Sequence, residues 1–119
     1  MGKIYITGLA VDTLIGVYDW ERQHKQRILV DLELQADLSK AAKSDNVDDT
    51  LNYALVAQKV VHTANDSQFK LIEALASHIL DTLLQSFPLI QRAKLTLSKP
   101  DILANAKNVA VEMTRGRKV

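Results

Sequence analysis

The sequence predicts an α+β domain: a four-stranded antiparallel sheet with two helices on one face, in the order strand-strand-helix-helix-strand-strand. Three observations carry that prediction. Apolar and polar residues alternate, the period of a half-buried strand, in two blocks near the N-terminus and two near the C-terminus. Between them lie two stretches with apolar residues at the i, i+3, i+4, i+7 spacing of a helix face. Strands and helices also come in runs rather than in strict alternation, which segregates the helices to one side of an antiparallel sheet.

The first strand is expected from about Lys3 to Leu14, with a change of phase inside it. Ile4 and Ile6 share one parity and Leu9 and Val11 the other, so a bulge at Gly8 would return all four to a common face. A loop over residues 16–25 leads to the most regular strand, with Ile28, Val30, Leu32, Leu34 and Ala36 inward and Leu29, Asp31, Glu33 and Gln35 outward. The two strands read as an antiparallel hairpin. Asn52 is placed as the N-cap of the first helix, whose inner face is Tyr53, Val56, Ala57, Val60, Val61 and Ala64. The second helix buries Ile72, Leu75, Ala76, Ile79, Leu80, Leu83 and Phe87, with Glu73, Ser77, His78 and Asp81 on its polar side. The last two strands are expected at Gln91–Lys99 and Lys107–Arg115, followed by a frayed tail to Val119.

A chain of 119 residues is expected to form one domain across residues 1–119. Lys and Arg number 15 against 14 Asp and Glu, and the resulting charge of +1 gives no general pull toward nucleic acid or anionic membrane. Cysteine is absent, which removes disulfides, thiolate nucleophiles and cysteine-based zinc sites. The N-terminus lacks a signal-peptide core and no apolar run could span a bilayer, so a soluble, cytoplasmic protein is expected. The four glycines, at 2, 8, 16 and 116, form no phosphate-cradling loop. His24, His62 and His78 never stand at metal-ligand spacing on one element. Asp45, Asp48 and Asp49 lack the glycine and glutamate of a calcium loop and suit turn and cap duty instead. No metal is therefore expected.

One lysine breaks the pattern of the third strand. Ala93, Leu95 and Leu97 alternate with polar residues, and Lys99 falls in phase with the apolar set before Pro100 stops the strand. Such a lysine either lays its stem on apolar surface and reaches water or stays partly desolvated, where the ammonium form is disfavoured and the amine suits the work of a base. Three further residues sit at element ends: Glu21 in the first loop, Tyr53 at the first helix start and Glu73 at the second. Each also has a structural explanation, as a solvated loop acid, a core-edge aromatic, and an acid favoured by the helix dipole.

Six words, taken in order, carry a resemblance. They are Ile15-Gly16-Val17-Tyr18-Asp19-Trp20-Glu21, Lys43-Ser44-Asp45, Leu51-Asn52-Tyr53, Phe69-Lys70-Leu71-Ile72-Glu73, Leu97-Ser98-Lys99-Pro100 and Ala106-Lys107-Asn108-Val109. Together they resemble the dihydroneopterin aldolases of folate biosynthesis over nearly the whole chain. The resemblance implies the tunnelling fold, in which sheets of four subunits join into a ring and two rings stack into a homo-octamer with sites between neighbours. It implies retro-aldol cleavage of dihydroneopterin to a hydroxymethyl-dihydropterin and glycolaldehyde, with no cofactor, because the ring C=N receives the electrons. It implies Lys99 as general acid/base, with Tyr53 assisting proton transfer or orienting substrate hydroxyls. Glu73 and the backbone at Ile72 would bind the pterin edge, and Glu21 would meet the substrate.

Such enzymes can also epimerise a side-chain carbon to give dihydromonapterin. The related dihydroneopterin triphosphate epimerases share the fold, the tyrosine and the glutamate, but tend to lack the word that stands here as Ser98-Lys99-Pro100. A non-catalytic α+β nucleic-acid module would want aromatics interleaved with basic residues on an exposed strand. The chain offers Leu29, Asp31, Glu33 and Gln35 there instead.

Overall fold

The phase change in the first strand is a bulge. In a computed structural model of the chain, which describes residues 1–100 and 102–117, β1 (Gly2–Thr13) pairs antiparallel with β2 (Gln26–Ala36). Ile6 stands opposite Leu32, and the next pair is Leu9 opposite Val30, so two residues of β1 face Asp31 alone. Gly8 takes φ +68° there, a left-handed backbone that suits glycine, and its N–H donates to Asp31 Oδ1 at 2.7 Å. The extra residue keeps Ile4, Ile6, Leu9 and Val11 on the face of Leu34, Leu32, Val30 and Ile28.

β3 (Ile90–Pro100) adds to β2 and β4 (Asn108–Gly116) to β3, all antiparallel, giving the sheet order β1-β2-β3-β4. Ala93, Leu95 and Leu97 stand opposite Leu34, Leu32 and Val30 and continue the buried face. Two helices cover it. α2 (Tyr53–Asn65) packs on β1, and α3 (Ile72–Ser86) packs on β3, β4 and α2. Val56, Val60 and Ala64 of α2 and Ile72, Leu75, Ala76, Ile79, Leu80 and Leu83 of α3 are buried against it. Each large side chain so buried contributes about 1.5–3 kcal/mol over its exposed state. The opposite face is polar and carries the exposed pairs Lys3–Glu33 (3.8 Å) and Lys94–Glu112 (3.7 Å), each worth about 0.2–1 kcal/mol. No helix among the described residues is long and apolar enough to cross a membrane.

Asn52 caps α2 as expected, its side chain accepting from the N–H groups of Ala54 and Leu55. A short α1 (Ser39–Ser44) precedes it, which the sequence pattern does not announce because six residues are too few for a period to recur. Asp45 ends α1 in the left-handed conformation, and the Asn46 side chain accepts from the Asp48 N–H, so this cluster does serve turns.

Two expectations are overturned. The apolar spacing puts Tyr53 on the inner face of its helix, yet it is 64% exposed. Helical side chains tilt toward the N-terminus, and in the first helical residue that direction leads off the end of the element. The tail from Arg115 is not frayed through Arg117. Arg115 bonds to Asp81 and, at 3.0 Å, to Ser77 of α3, while Arg117 Nε donates to Ile90 O at 2.7 Å and Arg117 Nη2 to Leu84 O at 2.6 Å. Guanidinium forks tie β4 and the residue after it to α3. Lys118 and Val119 lie outside the described residues.

Candidate active site

The buried face of the sheet ends in polar residues, all at one end. Thr13 closes the inner row of β1, Gln26 opens that of β2 opposite it, and Lys99 closes that of β3. The misfit lysine does stay on the inner side: its side chain is 11% exposed. Lys99 Nζ donates to Glu21 Oε2 at 2.6 Å, and the Glu21 side chain is only 2% exposed.

Glu21 reaches that position through the loop after β1. Residues 19–22 form a single 3-10 turn in which the Glu21 N–H donates to Tyr18 O at 2.9 Å, folding the carboxylate back under the loop. Gly16, at φ +127°, lies against the side chain; a Cβ on it would stand 2.2 Å from Glu21 Cδ. Gln26 Nε2 donates to Ile15 O at 2.7 Å and to Glu21 Oε2 at 3.1 Å, and the Tyr18 N–H points to Oε1 at 3.4 Å. Burial pushes the Glu21 carboxyl up, but the hydrogen bonds from Lys99 and Gln26 and the charge of Lys99 outweigh it and hold the group below the ordinary 4.5. The ion pair therefore stabilises the fold above about pH 4.5 and loses that contribution as pH falls through the lower, folded value. Wild type should exceed Glu21→Gln in urea stability by more at pH 6 than at pH 3, and equal differences would contradict the assignment.

The second wall of the site is the start of α3. Leu71 is its N-cap, Ile72 is buried, and Glu73 is exposed in the first turn, where the helix dipole favours an acid. Glu21, Ile72, Glu73 and Lys99, with Val17 and Leu71 among their neighbours, line one open cleft of about 530 Å³. Such a cleft offers a fixed cation–carboxylate pair on one side and an exposed carboxylate on the other. Tyr53 does not line it. Gln26 is a further polar residue of the site that the sequence reading leaves out, although its signal is that of Lys99: a polar side chain in phase with a buried row. Among the described residues, no group of three or more His, Asp or Glu gathers as a metal site would require.

Comparison with known proteins places the chain in a family. The family model for dihydroneopterin aldolase (FolB) matches residues 4–114. The chain belongs to the dihydroneopterin aldolase family. It is 43% identical over 116 residues to the dihydroneopterin aldolase of Haemophilus influenzae, covering 98% of both chains. It is 42% identical over 118 residues to that of Escherichia coli K12, covering 98% of this chain and 94% of the other. The fold agrees as closely as the sequence. A crystal structure of the E. coli dihydroneopterin aldolase in complex with neopterin superposes with a TM-score of 0.93 at 41% identity, over 98% of this chain and all of the other. The family is thus one of carbon–carbon lyases, and its α+β architecture is that described above.

Proposed function

We propose that this cleft cleaves 7,8-dihydroneopterin by a retro-aldol reaction, giving 6-hydroxymethyl-7,8-dihydropterin and glycolaldehyde for folate biosynthesis. The observation that carries the reading is the buried Lys99–Glu21 pair lining the same cleft as Glu73. Neopterin bound to the E. coli relative supports a pterin as the ligand.

Glu73 accepts hydrogen bonds from the pterin amino and ring N–H groups, a fork suited to a carboxylate, and the backbone at Ile72 completes that edge. Lys99, once it has given up its ammonium proton and stands as the free amine, takes the proton of the side-chain hydroxyl. The adjacent carbon–carbon bond breaks, its electron pair moves into the ring C=N, and glycolaldehyde leaves. Protonation of the side-chain carbon that remains restores the C=N and gives the hydroxymethyl product. Glu21 stabilises the ammonium while Lys99 holds the proton. Because the substrate's own ring is the electron sink, the step asks for no metal or cofactor. Re-addition of the aldehyde before release accounts for epimerisation to dihydromonapterin. Ser98-Lys99-Pro100 favours the aldolase over the triphosphate epimerase.

Tyr53 reaches substrate from a neighbouring subunit, where it orients the hydroxyls or relays the proton. Two features support this: Tyr53 is exposed and lies outside its own chain's cleft, and β1 and β4 are open edges of the kind that ring closure removes. The assembly is a homo-octamer of two stacked four-subunit rings in the cytoplasm. Purified protein incubated with dihydroneopterin should release glycolaldehyde, and no release overturns the activity. Light scattering should return about eight times 13.3 kDa; a concentration-independent monomer overturns the shared site.

A further inference from the structure

The two walls of the cleft belong to separate loops. One precedes β2 and carries Glu21; the other joins α2 to α3 and leads through Lys70 and Leu71 to Glu73. Arg22 joins them. Its Nη1 donates to Gly16 O at 3.1 Å, in the loop wrapped around Glu21, and to Phe69 O at 3.0 Å, and its Nη2 donates to Gln68 O at 3.0 Å. All three bonds go to backbone carbonyls on either side of the gap, and a planar fork with fixed N–H directions holds such acceptors at a set spacing. Arg22 does not line the cleft. It lines a neighbouring polar cavity with Leu14, Lys25 and Asn65, so it acts on the cleft only through the loops it holds.

We propose that Arg22 is a positioning residue for the cleavage: it fixes the spacing between the wall whose Glu21 holds Lys99 and the wall that reads the pterin. The role rests on the retro-aldol reading above. A pterin held by Glu73 can still bind when the clamp is gone, because that edge is intact. Its side-chain hydroxyl then no longer meets Lys99 in register, and a displacement of about 1 Å can cost about 10²-fold in rate.

Arg117 supplies a matched control. It clamps three carbonyls in the same manner, Ile90 O at 2.7 Å, Leu84 O at 2.6 Å and Phe87 O at 2.9 Å, and does not line the cleft. Arg22→Ala, Arg22→Lys and Arg117→Ala are to be compared in the full chain by thermal midpoint, neopterin affinity and single-turnover cleavage. Arg22→Ala and Arg117→Ala should both lower the midpoint. Only Arg22→Ala should lose cleavage rate, by about 10- to 100-fold, with neopterin affinity within about threefold of wild type and partial recovery of rate in added ethylguanidinium. Arg22→Lys keeps the charge and one contact and should fall between; it also decides the matter if Arg22→Ala does not fold. Full-rate cleavage by the Arg22 variants, or an equal rate loss in Arg117→Ala, overturns the role while wild-type cleavage leaves the activity standing. Wild type that releases no glycolaldehyde overturns the activity itself.

Discussion

Lys99→Ala should slow cleavage by about 10²–10⁴, the usual worth of a positioned acid/base, while binding neopterin within about tenfold of wild type. The substitution also leaves Glu21 buried without its cation. Breaking a buried pair in this way costs up to about 3–5 kcal/mol of stability, so rates must be read well below the thermal midpoint. Lys99→Arg is the cleaner variant. It keeps a cation beside Glu21, yet a guanidinium does not give up its proton in this pH range, so it should fold and still cleave almost as poorly. Glu73→Ala should fail in the other way, weakening neopterin binding by about 1.5–3 kcal/mol, the range for hydrogen bonds to a charged group. Affinity and single-turnover cleavage of the three variants separate the roles. A Lys99→Arg enzyme at near wild-type rate would mean that the lysine supplies charge alone and that the base lies elsewhere.

Gly16→Ala should be nearly as damaging, though position 16 bears no functional group. Two costs coincide there. The backbone at φ +127° disfavours any side chain, a strain of about 1–3 kcal/mol, and the new Cβ would meet Glu21 Cδ at 2.2 Å. Glu21 cannot swing aside cheaply, because Lys99 and Gln26 both hold its Oε2. The loop or the ion pair must give way, and either outcome removes the setting of Lys99. Gly8→Ala carries a milder backbone cost alone, since Gly8 has the left-handed φ of +68° but a Cβ there would meet nothing within 4 Å. It should lose about 1–2 kcal/mol and keep its cleavage rate, whereas Gly16→Ala should lose more stability and cleave about 100-fold more slowly or worse. Urea titration and glycolaldehyde release measure both. Equal behaviour of the two variants would show that the contact with Glu21 does not matter.

What could be read without coordinates was everything that repeats. Burial recurs every second residue in a strand and every third or fourth in a helix, so the apolar spacing alone placed four strands, two long helices and the bulge at Gly8. The same regularity exposed Lys99 as an intruder in a buried row, and applied to the start of β2 it marks Gln26 as well. Position at element ends drew out Glu21, Tyr53 and Glu73 as well, and the resemblance of six short words implied roles for them and for Ile72. Features without a period stayed hidden: the six residues of α1, the outward turn of Tyr53 at a helix end, and the grip of Arg115 and Arg117 on α3. Above all, no local pattern says that Lys99 meets Glu21, 78 residues earlier in the chain. That contact depends on where the sheet end, a 3-10 turn and a glycine with positive φ converge. Local spacing records which side of an element is dry, whereas a pairing between distant residues is decided only when the elements pack.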